Sequence, residues 1–467
     1  MVTQPSRRDL LRIGGLTAGG ALLAGATGTA ALAATGAPAA APPAAASPSA
    51  WDEVPAILDR IKPPTFPAKD FPITDYGAKS GSSDSTAAFA KAIAACAAAG
   101  GGRVTVPSGT WSTGAIELLD NVNLNLASGA TIKFSTDTKK YPTVLTRWQG
   151  IECFNFSPLV HAEGRTNVAV TGSGTLDGQG DSWKPFGGGG SDWTNLQKQG
   201  ANKTPVDQRR YGQGHKLRPA MVEFRNCTNI LIEDITVVKP PMWAVHPVLS
   251  SNITVRNVKL STRGGGGNND GVDPECCNDV HIVGCTFDTG DDCIAIKSGR
   301  DVDGVRVNVP SQNIVIEDCT FVFSNRGAIC VGSECSGGAN HVFARNCKVN
   351  PANKSGQLWY LLFVKTGNKR GGTLDGIHLQ NITANKLTKS ALYVTMTYGN
   401  SGPGPTMNPT VQNIDADGIT VNGAGTYGLE LIGLPASHLK HFHVTNSTFK
   451  NIAKGNKISN ADDVTLK

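Results

Sequence analysis

Apolar and polar residues alternate along most of the chain in short runs that open with Asn or Asp. Examples are NVAVTGSGTLDG from Asn167, NILIEDITVVKP from Asn229, NITVRNVKLST from Asn252 and NIVIEDCTFVFS from Asn313. Alternation with a period of two predicts short strands that bury one face and expose the other. The runs start roughly twenty to thirty residues apart, irregularly, which is typical of solenoid coils that carry loops. The pattern therefore predicts an all-β fold built as a parallel β-helix.

A β-sandwich is the alternative architecture for a chain with so many short strands. Its hairpins would be marked by Asn-Gly and Asp-Gly turns at tight spacing. The Asn at the start of each run is better explained as a residue that turns the chain at a corner of each coil.

A helical pattern precedes the repeats. Asp84 or Ser85 can cap a helix, and Phe89, Ile93 and Cys96 would share one face of the Ala-rich segment that follows. Three glycines from Gly100 would end it. We expect this helix to cap the first coil, because the edge of the first strand would otherwise be exposed.

The first residues have the features of an export signal. Arg7-Arg8 precede an apolar run over residues 13–34, and Ala31-Leu32-Ala33 suits cleavage. We predict a twin-arginine signal peptide at 1–33, an Ala/Pro-rich linker at 34–66, a β-helix domain at 67–467 and secretion. A membrane anchor is the alternative for the first segment, and no later segment is apolar enough to predict stable membrane insertion.

The charge and the cysteines limit the possible partners. The formal net charge is +6, of which the first twelve residues carry +2. The remainder is too mild to indicate nucleic-acid binding and suits an acidic substrate. The eleven cysteines can form disulfides in an exported protein, but Cys285, Cys319 and Cys347 occupy equivalent repeat positions, which favours buried thiols. No Cys/His group has zinc-ligand spacing, so we expect no metal, and we expect a monomer.

Residues 177–219 depart from the repeats, since they are polar, rich in Gly and without a pattern. A loop of this length is usually functional, and Trp183, Trp193 and Arg218 can line a cleft. A mobile surface loop is the alternative.

The candidate chemistry lies between Gly264 and Gly299. Asp291 follows Asp270 by twenty-one residues, which is close to the repeat period, so stacked coils would bring Asp270 to the Asp291-Asp292 pair. Gly290 allows a bend that turns both neighbours toward one groove, and adjacent carboxyls titrate apart. Converging carboxylates are suited to acid/base hydrolysis of a glycosidic bond. The alternative is an Asp turn that binds backbone amides.

These residues carry a resemblance. The segments NNDGVDP, GDDCIAIKSGRD and RGAICVGSECSGG, together with DYGAKSG and GGGRVTVPSGTW nearer the N-terminus, resemble glycoside hydrolase family 28, the polygalacturonase family. The resemblance runs from about Asp75 to Tyr398 and implies a right-handed parallel β-helix. It implies that Asp291 is the general acid, that Asp270 and Asp292 activate water, and that the anomeric configuration inverts.

Two positions depart from the family pattern. The family's Gly-His-Gly is Asn325-Arg326-Gly327 here, and its Arg-Ile-Lys is Phe363-Val364-Lys365. We expect Arg326 to supply the missing positive charge to the substrate, and the resemblance implies that Lys365 and Tyr398 lie near the sugar. Surface charge is the alternative for Arg326 and Lys365, and packing is the alternative for Tyr398. Trp243 is expected in the core and not as a platform for a sugar.

Three functions follow from these residues. The first is a secreted hydrolase of pectic polysaccharide, either galacturonan or rhamnogalacturonan, that needs no cofactor. The second is a pectate-lyase-like eliminase that uses Ca²⁺ and would form an unsaturated product. The third is a non-catalytic carbohydrate-binding β-helix, which the lost His and Arg favour and the three retained Asp residues oppose.

Overall fold

The computed structural model describes residues 49–264, 266–350 and 357–467. Thirteen parallel strands in this part form one continuous sheet, with each strand paired to the strand of the next coil. In order, these strands are Asp70–Pro72, Gly102–Val106, Val122–Leu126, Thr166–Gly172, Thr228–Glu233, Ser251–Arg256, Asn278–Val283, Ser311–Glu317, Ala339–Arg345, Thr373–Gln380, Thr410–Asp417, Leu439–Thr445 and Ala461–Leu466.

Two further rows of parallel strands complete each coil. The second row contains Gly81–Asp84, Gly109–Thr113, Ala130–Phe134, Thr175–Asp177, Thr236–Val238, Lys259–Ser261, Thr286–Asp288, Lys348–Val349, Thr383–Leu387, Thr420–Ala424 and Thr448–Phe449. The third row contains Ile116–Glu117, Val160–Glu163, Val222–Arg225, Val245–Val248, Ile294–Ile296, Leu358–Lys365, Leu392–Thr395, Leu429–Ile432 and Lys457–Ser459. The long strand Thr320–Gly332 pairs in both rows, so it bends from one face of the coil to the next.

The architecture is the predicted right-handed parallel β-helix. Its interior is built from columns of stacked apolar residues, one from each coil. The column through the first sheet is buried throughout. It consists of Val168, Ile230, Ile253, Val280, Ile314, Val342, Ile377, Ile414 and Phe442. Burial of this column in every coil is the main force that holds the solenoid together.

The Asn that opens each run turns the backbone, as the pattern indicates. Asn167, Asn229, Asn252 and Asn313 all have φ between 53° and 60°, a left-handed conformation that Asn tolerates well. Their side chains also stack from coil to coil: the Asn229 amide donates to Asn167 Oδ1 over 2.8 Å. Each Asn therefore shapes its own coil and bonds to the neighbouring one.

The N-terminal capping helix is present and spans Thr86–Ala98. Phe89, Ile93 and Cys96 are buried against the first coils, as the spacing predicts. Of the two candidate caps, Asp84 supplies the side-chain hydrogen bond, since its Oδ1 accepts from the Thr86 amide at 3.1 Å.

The predicted linker differs from the structure over its second half. Residues Ala50–Glu53 form a 3₁₀ turn and Val54–Arg60 an α-helix. Val54 and Ile57 pack on Val315 and Phe343, on the outer face of the first sheet. Apolar residues at helical spacing thus fix this segment, which its Pro content alone does not reveal. Residues 34–48 and the predicted signal peptide lie outside the described residues.

The predicted loop at 177–219 is also more ordered than its composition indicates. It contains a 3₁₀ segment, Gly180–Phe186, the helix Gly190–Ala201 and a 3₁₀ turn, Val206–Gln208. The remaining elements are the antiparallel hairpin of Thr143–Trp148 and Ile151–Phe156, the helix Asp301–Val307, and 3₁₀ turns at Ile73–Tyr76 and Thr138–Lys140.

The eleven cysteines are all buried and none is paired in a disulfide. The thiols of Cys285 and Cys347 lie beside that of Cys319 in one column, and burial raises the pKa of the Cys319 thiol well above its usual range. They act as small apolar side chains in the core. No helix in the described part of the chain is long and apolar enough to cross a membrane.

Candidate active site

Asp270, Asp291 and Asp292 converge on one face of the third row of strands. The coils align so that the Gly271 amide donates to Asp292 O at 3.0 Å, which places Asp270 beside Asp292 in register. Carboxylate oxygens of the three residues lie within 4.8 Å of one another. The near-period spacing thus brings the predicted cluster together, with Asp292 and not Asp291 as the aligned neighbour.

Both residues of the Asp pair face the same cavity because the chain bends at Gly290. The hydroxyls of Thr289 and Ser324 fix the bend by donating to Asp291 O, at 2.8 and 2.6 Å. A Cβ atom at Gly290 would lie 3.2 Å from the Asn269 Cβ, so a glycine suits this close approach.

The cavity over these carboxylates has a volume of about 130 Å³. Polar and charged side chains form nearly all of its wall. They are Gln149, Trp243, Asn268, Asp270, Asp291, Asp292, Lys297, Arg300, Arg326, Ser333, Glu334, Lys365 and Tyr398. Such a wall suits a hydrated, polar ligand such as a sugar.

Asp292 is fully buried and held on both oxygens. The Cys330 thiol donates to Oδ1 at 3.1 Å, and the Lys365 ammonium forms an ion pair with Oδ2. Burial disfavours the charged form of Lys365, but Asp292 outweighs it and the pKa of Lys365 is raised. Lys365 therefore stays protonated as the ionic partner of Asp292.

Lys297 is one of two cavity cations, with Arg300, that the sequence motifs did not single out. It is buried, and its Nζ lies 3.5 Å from Asp270, 3.9 Å from Asp273 and 3.4 Å from Glu334. It also lies 4.3 Å from the centre of the Trp243 ring. A Lys directly after the apolar strand Ile294–Ile296, within the segment GDDCIAIKSGRD, is the sequence signal that could have found it.

Burial dominates the titration of the acids near Lys297. It raises the pKa of Asp270 well above its usual range, with Lys297 opposing the shift and Asp291 and Asp292 adding to it. The pKa of Asp273 is also well raised, by burial and by Asp270. Burial also disfavours charged Lys297, but Glu334, Asp273 and Asp270 outweigh it and raise its pKa. The single charge of protonated Lys297 is therefore shared among three buried carboxyl groups.

Glu334 and Arg300 form the far wall of the cavity. Arg300 Nη1 donates to Glu334 Oε1 at 2.8 Å and to Gln149 Oε1 at 3.2 Å. The Arg300 amide donates to Gly150 O at 3.0 Å. The turn of the hairpin, Gln149-Gly150, therefore rests on the rim of the cavity.

Asp291 is the least buried of the three acids and has the weakest ionic partner. Its Oδ1 lies 3.9 Å from Arg326 Nε, beyond hydrogen-bond reach. Burial raises the pKa of Asp291 and Asp292 adds to the shift, while Lys365 and Arg326 oppose it. A carboxyl with a raised pKa that faces a polar cavity is suited to donate a proton.

The predicted substrate-binding residues lie at the cavity, and so does the tryptophan expected in the core. Arg326, Lys365 and Tyr398 all line the cavity. Trp243 is buried, as expected, but also forms part of the cavity wall.

The three candidates from residues 177–219 do not line the cavity over the carboxylates. Trp183 belongs to the main core, and Trp193 packs on Trp148 with ring centres 5.0 Å apart. Arg218 is buried and donates to Gly267 O at 2.9 Å.

The three carboxylates have the spacing to hold a cation. Two ammonium groups already occupy their surroundings, since Lys297 contacts Asp270 and Lys365 contacts Asp292. Both lysines have raised pKa values, so neither is suited to abstract a proton. This charge balance favours acid/base hydrolysis over Ca²⁺-dependent elimination.

Comparison with known proteins agrees with the geometry. The sequence profile of glycosyl hydrolases family 28 matches residues 96–465. A probable polygalacturonase of Vitis vinifera is 30% identical over 370 residues, which are 77% of this chain and 69% of that protein. The exo-poly-alpha-D-galacturonosidase of Dickeya chrysanthemi is 29% identical, over 70% of this chain and 57% of the relative.

A solved structure is similar over almost its whole length. The exopolygalacturonase of Thermotoga maritima has a TM-score of 0.84 and 34% identity, and the match covers 90% of this chain and 96% of that one. A polygalacturonase from Erwinia carotovora has a TM-score of 0.65 at 19% identity, which supports the fold alone.

Proposed function

Because this chain is a glycoside hydrolase that belongs to the glycosyl hydrolases family 28, we propose that it hydrolyses the galacturonan chains of pectic polysaccharide. The observation that carries this proposal is the convergence of Asp270, Asp291 and Asp292 in one polar cavity that is edged by Arg326 and Lys365. The carboxylates supply the acid/base chemistry, and the two cations suit a substrate whose sugars each carry a carboxylate.

In the proposed mechanism, Asp291 protonates the glycosidic oxygen as its bond to the anomeric carbon breaks. Asp270 and Asp292 orient a water molecule and accept its proton as its oxygen bonds to that carbon. The raised pKa of Asp291 supports the acid role, and the ion pair of Asp292 with Lys365 supports the base role. Each step uses residues of this chain and one water molecule.

We further propose that cleavage proceeds from a chain end. The hairpin turn Gln149-Gly150 rests on Arg300 at the cavity rim, which restricts passage of the polymer on that side. The similar proteins from Thermotoga maritima and Dickeya chrysanthemi are described as exo-acting.

One digestion of galacturonan tests the reaction and its stereochemistry together. We expect early release of monomer with inverted anomeric configuration, because Asp270 and Asp292 can share one water molecule. The separation of the carboxylates, within 4.8 Å, is shorter than the roughly 6.5–9.5 Å usual for inverting enzymes. Proton NMR in the first minutes is therefore decisive. Retained configuration would contradict direct water attack, and an unsaturated product would identify an eliminase.

Arg326 provides the test of substrate charge. Arg326 stands where the family has a histidine. Its guanidinium carries a permanent charge and a planar set of donors that suits a carboxylate. We expect Arg326→Ala to lower kcat/KM on galacturonan roughly tenfold to a thousandfold, chiefly through KM, and the deficit should shrink in added salt.

Two measurements separate binding from support of the acid. Since Arg326 opposes the raised pKa of Asp291, the variant should also lose activity at a higher pH than the wild type does. A neutral galactan serves as control substrate. Equal losses on neutral and acidic polymers would show that Arg326 supports Asp291 or the fold and does not bind substrate.

Export of the protein remains a prediction. The paired Arg7-Arg8 and the apolar run behind them support secretion through the twin-arginine route. Rhamnogalacturonan is the alternative substrate, and the same digestion on that polymer distinguishes it.

A further inference from the structure

Two cations meet over one aromatic ring beside the cavity. The guanidinium carbon of Arg326 lies 4.6 Å from the centre of the Trp359 ring, and Lys389 Nζ lies 3.5 Å from it. Cation–π attraction stabilises each of these contacts. The ring therefore holds both charges in place.

These residues follow Asp291 along the axis of the solenoid, one coil after another. The side-chain amide of Asn325 donates to Gly290 O at 3.1 Å, which places Arg326 one coil beyond Asp291. Tyr360 pairs with Gly327, and the Lys389 amide donates to Trp359 O at 3.2 Å. With strands about 4.8 Å apart, the backbone of Lys389 lies roughly 14 Å from that of Asp291 along the axis, so the site extends away from the acid.

Neither cation forms a hydrogen-bonded ion pair with an acid among the described residues. Lys389 has no carboxylate within 4.0 Å among the residues that the structure describes, and the nearest one to Arg326 is Asp291 at 3.9 Å, without a hydrogen bond. Burial lowers the pKa of Lys389 and the charge of Arg326 lowers it further, while Glu430 opposes the shift. Arg326 and Lys389 repel each other, and a ligand carboxylate near both of them would offset that repulsion.

We propose that Arg326, Trp359 and Lys389 form a binding site for the carboxylate of a uronic acid residue outside the scissile bond. The proposal rests on the proposed function and deepens it, because the site makes the enzyme favour longer acidic chains. Trp359 contacts both cations, so it positions the two charges.

The test compares Lys389→Ala with a matched control, Lys386→Ala. Lys386 is an exposed lysine in the strand Thr383–Leu387, on another face of the same coil. Galacturonan oligomers of two and of five units are the substrates. We expect Lys389→Ala to reduce the ratio of kcat/KM between pentamer and dimer about tenfold, chiefly through KM, and less in high salt. The control should keep the wild-type ratio.

A second variant separates charge from its placement. Trp359→Leu keeps both cations but removes the ring that holds them, so it should reduce the same ratio. Calorimetric titration with the pentamer, with Asp291→Asn added to every variant to suppress cleavage, measures binding, and Lys389→Ala and Trp359→Leu should both bind the pentamer more weakly than the control does.

The outcomes distinguish this inference from the proposed function. If the wild type cleaves galacturonan and Lys389→Ala keeps its preference for the pentamer, the inference is overturned while the function stands. Equal losses in both lysine variants also overturn it, because they indicate a general effect of charge. If the wild type cleaves no galacturonan but pentamer binding depends on Lys389, the anion site stands and the proposed function fails.

Discussion

Asp291→Asn should lower the rate of galacturonan hydrolysis roughly a hundredfold or more, because an amide cannot donate the proton that the leaving oxygen needs. The fold should survive the change. Asp291 lines the cavity and is not in the apolar core, and its Oδ1 accepts from the Asp292 amide at 3.0 Å, which an Asn oxygen can still do. Initial rates and a thermal melt check both statements.

The pH profile identifies the role of Asp291. A general acid is active only while protonated, so the wild-type rate falls as pH rises through the pKa of Asp291. Burial and Asp292 raise that pKa, which extends the active range upward in pH. The residual activity of Asp291→Asn should lack this alkaline decline.

Asp318→Asn is the matched control. Asp318 is exposed and its φ is 55°, a conformation that Asn tolerates as well as Asp. We expect wild-type rates from it. A wild-type rate in Asp291→Asn, or an equal loss in both variants, would refute the assignment of the acid.

Lys297→Met should be the most destabilising single change in the site. It removes the cation shared by Asp270, Asp273 and Glu334, all of them buried. Removal of one partner from a buried ion pair lowers the free energy of unfolding by about 3–5 kcal/mol, because the remaining charge is neither paired nor solvated. Glu334 keeps Arg300 at 2.8 Å, so the unpaired carboxyls are chiefly Asp270 and Asp273.

The loss of stability should depend on pH in a definite direction. The folded-state pKa values of Asp270 and Asp273 are already raised, and they rise further without Lys297. Protonation of Asp270 and Asp273 at low pH removes the unpaired charges. The difference in unfolding free energy between wild type and Lys297→Met should therefore be greatest near neutral pH and become smaller as the pH falls. The raised pKa of Lys297 means that its own contribution persists until pH rises through that value.

Chemical denaturation at several pH values measures this effect. Lys259→Met, which removes an exposed lysine of the strand Lys259–Ser261, is the control and should change the stability little. In the Lys297→Met background, Asp273→Asn should restore part of the stability, since it removes one unpaired charge. A stability deficit that does not vary with pH would show that packing around Trp243, and not charge, is the function of Lys297.

Periodicity alone determined the architecture. Alternating residues and an Asn at each run start predict stacked coils, since both signals are local and recur in every coil. The same local logic predicted the helix Thr86–Ala98. It failed for Val54–Arg60 and Gly190–Ala201, because their Ala/Pro-rich and Gly-rich surroundings obscure helices that tertiary packing stabilises.

The sequence also determined which carboxylates belong together. Asp270 and Asp291 are separated by nearly one repeat, and a solenoid converts that separation into proximity. It could not determine register, because one residue more or less in a connecting loop moves the alignment. The structure places Asp270 beside Asp292 through the bond from the Gly271 amide.

Only the tertiary structure decided how these charges are balanced. Lys297, Arg300 and Glu334 come from two different coils, and the hairpin at Gln149 is inserted from a third part of the chain. Arg326 and Lys389 share the Trp359 ring through coil stacking, although sixty-three residues separate the two cations. The free energy of a buried or clustered charge depends on which distant charges surround it and on the solvent that the fold removes, and neither is encoded locally.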